Sequence, residues 1–299
     1  MSELKIGGIP IEDGHPCFFI AIMQGRLSPP SLGRIQCFPA ATWQAEIARA
    51  SEAGLQAIEW VYDVEDAETN PIGHSEGLEE MRRLSKKHGI KVQSLCADYF
   101  MPFPFVRASE SEWEARLGKL AWLLDRCRLA GIQHVVLPFV DNSRIESDRD
   151  RSDVLRLLQR IKGTLERLDM EIHLETSLGP VEFRSLLDEI AQPRVRINYD
   201  SGNSASLGFS VDAEWAVYGN FVGSVHIKDR LKGGTTVPLG SGNADFAALA
   251  RNLKRFNYHG RFVLQVARGK TGDEVNWALA NRSFVEKLLA QSDEEARRP

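Results

Sequence analysis

The chain has 299 residues, a formal net charge of −4, and hydrophobic and charged fractions of 43% and 26%. This composition is ordinary for a globular enzyme and leaves room for one large domain or two smaller ones. A pI near 6.0 argues against a protein that coats nucleic acid, because such proteins are usually basic. No apolar run reaches the roughly 18 residues of a membrane span, and no secretory signal pattern begins the chain. We therefore expect a cytoplasmic protein with neither nucleic acid nor membrane as a partner.

The cysteines support the same expectation. They are widely spaced and lie mostly in apolar sequence, which indicates reduced core residues rather than a disulfide or zinc framework. The four are Cys17, Cys37, Cys96 and Cys127.

Short apolar strands alternate with amphipathic helices along the whole chain. A first strand is expected in 17–23 and a last helix in 277–290. Between them, a helix runs into a strand seven times, in the pairs 43–54 and 55–60, 78–89 and 90–95, 113–131 and 132–139, 154–169 and 170–175, 182–193 and 194–200, 212–220 and 221–227, and 246–260 and 261–266. Three of the helices end at Gly54, Gly89 and Gly131, where we expect left-handed turns that glycine adopts at low steric cost.

Eight strand–helix units predict a parallel sheet, and they fit a closed (β/α)₈ TIM barrel better than an open sheet. No Pro/Ser/Gly-rich linker divides the chain, so we expect one domain over 1–299, with an N-terminal extension in 1–16 and a polar tail in 291–299. In such barrels the active site lies at the carboxyl ends of the strands.

Four polar residues close four of the last predicted strands: Glu175, Asp200, His226 and Gln265. A polar side chain at the end of a buried strand is expected to face a group that satisfies it. Two carboxylates, an imidazole and an amide oxygen form a plausible site for one divalent cation. Mn²⁺ or Mg²⁺ is favoured, and Zn²⁺ or Co²⁺ is compatible with the same ligands.

Other residues at strand ends are candidates for substrate contact. Glu59 is one of them. Asp98 and Asp141 could equally contact substrate or cap the helices that follow them. Gln24 and Arg26 follow the first strand, where they could reach a substrate or simply anchor the long loop 27–42.

The segment HIKDR places Lys228, Asp229 and Arg230 at the rim of the expected site. Lys228 or Arg230 could bind an anionic group of the substrate, or one of them could pair with Asp229. The glycine-rich loop 233–242 could cradle an anion, although such loops also serve only to make tight turns. His173 shares a strand face with Glu175 and is expected one layer deeper in the barrel.

Several segments together resemble the xylose-isomerase-like sugar phosphate isomerase/epimerase superfamily. They are MQGRLSPP (23–30), IQCFP (35–39), LETSLG (174–179), NYDSGNSASLG (198–208), HIKDR (226–230), GGTTVPLGSGNADF (233–246) and FVLQVARG (262–269). The resemblance implies a metal-dependent barrel acting on a small carbohydrate. It implies metal ligation by Glu175, Asp200 and His226, with Gln265 in the eighth-strand position.

Two residues depart from the pattern of that superfamily. Gln265 stands where the epimerases have a glutamate, and a carboxamide cannot accept a proton at neutral pH. Asn203 stands where many relatives have a histidine that touches substrate. A mechanism with two opposed carboxylate bases therefore loses one base.

From these residues and the resemblance together we expect an isomerase or epimerase that acts on a small sugar or sugar phosphate through an enediolate. Glu175 and Lys228 are the expected catalytic residues, and Asn203 and Arg230 are further substrate contacts. The alternatives are a metal-dependent dehydratase of a keto-polyol and a non-catalytic sugar-binding barrel. A DNA-repair endonuclease of the same superfamily is disfavoured by the seven histidines and the net charge of −4. The aromatic loop 99–105 is expected to wall the pocket or to form a homo-oligomer contact.

Overall fold

The computed structural model describes residues 5–6, 9–12, 15–16 and 19–295. Eight parallel strands form a closed barrel. In chain order they are β1 (Ile20–Met23), β2 (Ala57–Val61), β3 (Lys91–Cys96), β4 (His134–Phe139), β5 (Glu171–Thr176), β6 (Val195–Asp200), β7 (Val222–Ile227) and β8 (Arg261–Leu264). Strand β8 pairs with β1, with Phe262 opposite Ile20, and this pairing closes the barrel.

Helices connect the strands on the outside of the barrel. They are α1 (Trp43–Glu52), α2 (Ser75–His88), α3 (Glu110–Ala130), α4 (Asp148–Leu168), α5 (Pro180–Ile190), α6 (Ser201–Leu207), α7 (Val211–Tyr218), α8 (Phe246–Arg255) and α9 (Glu274–Glu295). The strands are buried on both faces, as expected where helices cover a parallel sheet; all six residues of β4 are buried.

The single-domain (β/α)₈ barrel predicted from the sequence is confirmed. Gly54, Gly89 and Gly131 have φ of 66°, 69° and 84°, so the left-handed turns that end these helices are confirmed as well. Cys37, Cys96 and Cys127 are buried free thiols. Cys17 lies outside the described residues.

The structure describes additional elements at the two ends of the chain. Within the expected extension, the short strands Lys5–Ile6, Ile9–Glu12 and His15–Pro16 form a small antiparallel sheet separate from the barrel. The predicted last helix, 277–290, is longer in the structure, where α9 continues to Glu295. Residues 296–299 lie outside the described part of the chain.

Helix α6 was not predicted from the sequence. It consists of Ser, Gly, Asn, Ala and Leu, several of which favour turns over helices. The side chain of Asp200 caps it by accepting a hydrogen bond from the backbone N–H of Asn203 at 2.7 Å. Asp200 is thus both the last residue of β6 and the N-terminal cap of α6, so the helix is anchored to the carboxyl end of the barrel.

Within the described ranges, no helix has both the length and the apolar character needed to cross a lipid bilayer.

Candidate metal centre and substrate cavity

Glu175, Asp200 and His226 meet at the carboxyl end of the barrel. They lie on the neighbouring strands β5, β6 and β7, and each offers a ligand atom within 4.8 Å of the others. Glu175 and Asp200 are each 5% exposed, and His226 is completely buried. The convergence follows from register, because His226 pairs with Asp200 across adjacent parallel strands.

A second carboxylate fixes the orientation of His226. Nε2 of the imidazole donates to Glu59 Oε1 at 2.8 Å, and neither side chain is exposed. Nδ1 therefore faces Glu175 Oε2 at 3.4 Å and Asp200 Oδ2 at 4.0 Å. Among the described residues, Nδ1 has no hydrogen-bond partner. A carboxylate behind a histidine is the arrangement that holds a ligating imidazole in one tautomer.

The charges around His226 shift its proton affinity strongly. Burial alone would lower the pKa of His226, but the Glu59 and Glu175 carboxylates outweigh burial and raise that pKa to about 10. Burial would likewise raise the pKa of Glu59, but His226 lowers it on balance. Glu59 was expected to contact substrate; it lies instead beneath the cavity and contacts His226.

Two amides hold the carboxylate of Glu175. Asn203 Nδ2 donates to Oε1 at 2.6 Å, and Asn198 Nδ2 donates to Oε2 at 2.8 Å. Beneath them, Ser224 Oγ donates to Asn198 Oδ1 at 2.7 Å. Nδ1 of His173 contacts the same hydroxyl at 2.7 Å, so this histidine lies one layer below the site. The carboxylate is therefore fixed from the barrel interior and from α6.

Lys228 lies between Asp200 and Gln265. Its Nζ is 2.8 Å from Asp200 Oδ2 and donates to Gln265 Oε1 at 3.0 Å. The amide nitrogen of Gln265 donates to Gln36 Oε1 at 2.9 Å. Gln265 is therefore beside the three clustered ligands, and its oxygen is already in contact with an ammonium group.

A cavity of about 510 Å³ opens at this end of the barrel. Of the candidate site residues singled out in the sequence, those that line it are Asp98, Asp141, Glu175, Asn203, Lys228, Arg230 and Gln265. Met101 and Pro102 from the aromatic loop also line it, consistent with the expected apolar wall.

Two lining residues were not assigned a role from the sequence. Gln36 Nε2 donates to Asp98 Oδ2 at 2.6 Å, and both side chains face the cavity. Burial raises the pKa of Asp98 to about 6. Asp98 was noted at a strand end but could not be distinguished from a helix cap, whereas Gln36 lies within a long loop where no periodicity marks it.

Gln24 and Arg26 support the backbone and do not line the cavity. Gln24 Oε1 accepts the backbone N–H of Val61 at 3.0 Å. Arg26 donates from Nε to the carbonyl of Val266 at 2.8 Å and also to the carbonyl of Ile35. Burial lowers the pKa of Arg26 to about 9. Arg26 thus contacts the long loop at Ile35, as its anchoring role requires, whereas Gln24 contacts the last residue of β2.

Asp229 organises the glycine-rich loop. Its Oδ2 accepts the backbone N–H groups of Gly240 and Gly242 at 2.9 and 2.8 Å, and its Oδ1 accepts that of Ala244 at 3.0 Å. The expectation that this loop cradles an outside anion is wrong for these three N–H groups, because a carboxylate of the chain already takes them. Arg230 donates to the carbonyl of Gly234 and, at 2.9 Å, to Asn203 Oδ1, so it does not pair with Asp229.

Comparisons with known proteins agree with this architecture. The chain is 21% identical over 267 residues to the putative L-ribulose-5-phosphate 3-epimerase SgbU of Escherichia coli K12, covering 84% of this chain and 93% of that protein. A solved L-ribulose 3-epimerase superposes with a TM-score of 0.73 at 15% identity, covering 95% of this chain and 100% of that one. The IOLI protein, solved with a bound zinc atom, superposes with a TM-score of 0.73 at 17% identity, covering 92% and 99% of the two chains.

The model of one protein family matches residues 47–288, which contain seven of the eight barrel strands and all three clustered ligands. On that match, the chain belongs to the xylose isomerase-like TIM barrel family.

Proposed function

We propose that this protein is a metal-dependent isomerase or epimerase that acts on a small sugar or sugar phosphate through an enediolate. The observation that carries the proposal is the convergence of Glu175, Asp200 and His226 beside a cavity of about 510 Å³. The active sites of such barrels lie at this end. The names of the two ribulose epimerases to which the chain is similar support the substrate class.

The clustered side chains fit a divalent cation. His226 Nδ1 is a buried nitrogen with no hydrogen-bond partner among the described residues, and it faces two carboxylates. An imidazole with mostly oxygen ligands suits Mn²⁺ or Mg²⁺ and is compatible with Zn²⁺ or Co²⁺. The zinc atom in the similar IOLI structure supports a cation in this fold. When bound, the cation would supply Lewis-acid polarisation of the sugar carbonyl and its neighbouring hydroxyl.

Glu175 is the proposed base. Its carboxylate lines the cavity, and the amides of Asn198 and Asn203 hold it in one orientation. A positioned base of this kind contributes about 10²–10⁴-fold to proton abstraction beside a carbonyl. Asn203 and Arg230, which also line the cavity and contact each other, are the proposed substrate contacts.

Lys228 and Gln265 decide which reaction is favoured. Gln265 can donate and accept hydrogen bonds but cannot serve as the second base that an epimerase needs. Lys228 Nζ, 3.0 Å from the Gln265 oxygen, is the proton-bearing group nearest to that position and is the proposed acid. We therefore propose a one-base shuttle by Glu175, as in aldose–ketose isomerisation.

The same neutral Gln265 favours two other functions. Loss of water from a keto-polyol needs one base and one acid, which Glu175 and Lys228 could supply. A sugar-binding barrel would need no base. Both alternatives predict sugar binding, but the dehydratase would release a dehydrated product and the sugar-binding barrel would form none.

Metal dependence is tested by elemental analysis after incubation with Mn²⁺. Asp200→Ala and His226→Ala should lose bound metal, whereas Asp125→Ala should keep it. Asp125 is an exposed α3 carboxylate whose described contact is an ion pair with Arg167, so it controls for loss of charge. Equal metal content in all three variants would refute the metal site.

The chemistry is tested by deuterium incorporation from heavy water, read by NMR, across a panel of sugars and sugar phosphates. The wild type should exchange a carbon-bound proton, and Glu175→Gln should lose this exchange while still binding sugar. Exchange by Glu175→Gln at the wild-type rate would show that another group is the base. Binding without exchange by the wild type would favour the sugar-binding barrel.

A further inference from the structure

We propose, on the basis of the function proposed above, that the cavity selects an uncharged, unphosphorylated sugar. Phosphate groups on barrel substrates are frequently bound by the loops that follow strands β7 and β8. Recognition needs backbone N–H groups that converge on the anion, or Arg and Lys side chains with free donors. In this chain the protein itself already takes many of these donors.

In the loop after β7, three backbone N–H groups converge, and all three donate to the carboxylate of Asp229. Asp229 accepts the N–H groups of Gly240, Gly242 and Ala244 within 3.0 Å and is completely buried. A Cβ at position 242 would lie 2.2 Å from Asp229 Oδ1, so glycine is required there to let the carboxylate approach. Asp229 therefore takes the N–H groups that a phosphate bound by this loop would need.

The two cations that line the cavity on this side are also engaged. Arg230 donates from Nε and both terminal nitrogens to the carbonyl of Gly234 and to Asn203 Oδ1. Lys228 contacts Asp200 and Gln265. A phosphate could use only the donors that these contacts leave free on each side chain.

In the loop after β8, the chain also holds an arginine. Arg268 donates to the carbonyls of Gly25, Ser28 and Ile35. The remaining cation on the cavity wall, Arg34, is paired with Glu65.

The rest of the wall carries negative charge. Besides Glu175, the carboxyl groups of Asp63, Glu65, Asp98 and Asp141 line the cavity. Like charges placed together in a confined site repel, so a phosphate ester carrying nearly two negative charges is disfavoured relative to the free sugar. Carboxylates and amides are instead suitable acceptors and donors for sugar hydroxyls.

The test compares matched pairs on the wild-type protein loaded with Mn²⁺: L-ribulose with L-ribulose 5-phosphate, and D-fructose with D-fructose 6-phosphate. Calorimetry gives affinity and deuterium exchange gives turnover, with free Mn²⁺ held constant because phosphate esters chelate it. The free sugar of at least one pair should bind and exchange at least about tenfold better than its ester, a difference of one decade in Kd. Inorganic phosphate at millimolar concentration should not compete.

An ester that binds or exchanges as well as its free sugar, or better, would overturn this inference and leave the proposed function standing. If no compound binds or exchanges, the proposed function fails and this inference falls with it.

A variant tests the internal carboxylate directly. Asp229→Ala frees three backbone N–H groups, so inorganic phosphate should raise its Tm by roughly 2 °C or more when phosphate exceeds its Kd. The matched control is Asp245→Ala in the same loop, where the carboxylate accepts one N–H, that of Ala248, to cap α8. Phosphate should raise the Tm of neither the control nor the wild type. An increase in the Tm of the wild type with phosphate would overturn the inference. So would a folded Asp229→Ala variant whose Tm does not change with phosphate. If Asp229→Ala does not fold, the comparison of free sugars with their phosphate esters decides the inference.

Discussion

Replacing Glu59 with Gln tests whether the buried carboxylate prepares His226 to bind metal. Glu59 Oε1 accepts the Nε2 proton of His226 at 2.8 Å, with both side chains fully buried. Glutamine can still accept this hydrogen bond, so the shape of the site is kept, but the negative charge behind the imidazole is lost. Its amide can also rotate and offer a donor, which would favour the wrong tautomer of His226.

The expected effect is a loss of metal affinity with the fold retained. Removing the carboxylate partner of a ligating histidine weakens metal binding by about 10–100-fold, which corresponds to about 1.4–2.7 kcal/mol. The assay is calorimetric titration of Mn²⁺ into the metal-free wild type and into Glu59→Gln at one pH.

Glu46→Gln is the matched control for this experiment. Glu46 is another completely buried glutamate, but it accepts the backbone N–H groups of Gly25 and Leu27 at 2.8 and 3.0 Å and has no contact with His226 among the described residues. Its substitution should leave Mn²⁺ affinity within about twofold of the wild type. Equal affinity in Glu59→Gln and the wild type would refute the role given to Glu59, and an equal loss in both variants would indicate a general effect of burying an amide.

Three further predictions concern stability and charge. Burial raises the pKa of Glu46 from 4.5 to about 7. The folded chain thus retains a proton that the unfolded chain releases, and the free energy of unfolding should fall by roughly 3 kcal/mol from pH 4.5 to above pH 7. Urea unfolding of Glu46→Gln should lack this fall, and parallel pH profiles would contradict it. Ser224→Ala leaves the buried Asn198 oxygen without its donor and should lower the free energy of unfolding by roughly 1–3 kcal/mol; unchanged urea stability would disprove this. Gln265→Glu adds a carboxylate beside Lys228 and should tighten Mn²⁺ binding and produce some epimer by NMR; unchanged affinity and product would count against it.

The barrel could be predicted from the sequence because its signals are local and repeated. Each strand is a short apolar run directly after an amphipathic helix, and several helices end in a glycine whose φ is positive in the structure. Helix α6 could not be predicted this way, because its residues have weak helical preference and its start depends on the cap supplied by Asp200. The larger elements could therefore be predicted from local sequence pattern, whereas α6 depends on its anchoring by Asp200 at the end of β6.

The predictable part of the site is the part that lies at strand ends. Glu175, Asp200 and His226 could be placed together because parallel strands bring their carboxyl ends to one edge. The role of Glu59 could not be found, because its partner His226 is 167 residues away in sequence. The cavity position of Gln36 likewise depends on the path of a long loop, for which no sequence period exists.

The roles proposed for Gln265 and Lys228 depend on the contact between the two side chains. From the sequence, Gln265 is a missing base and Lys228 is a charged residue at the rim. In the structure the ammonium contacts the Gln265 oxygen and the Asp200 carboxylate at 3.0 and 2.8 Å. A glutamate at position 265 would place Lys228 between two carboxylates, which would hold the ammonium as a structural counter-ion. A neutral glutamine leaves Lys228 with one anionic partner and one neutral acceptor, so the ammonium can also donate a hydrogen bond to a substrate oxygen. In the proposed function, the neutral amide at position 265 and the ammonium beside it are therefore two aspects of one arrangement, consistent with the proposed single base acting with a single acid.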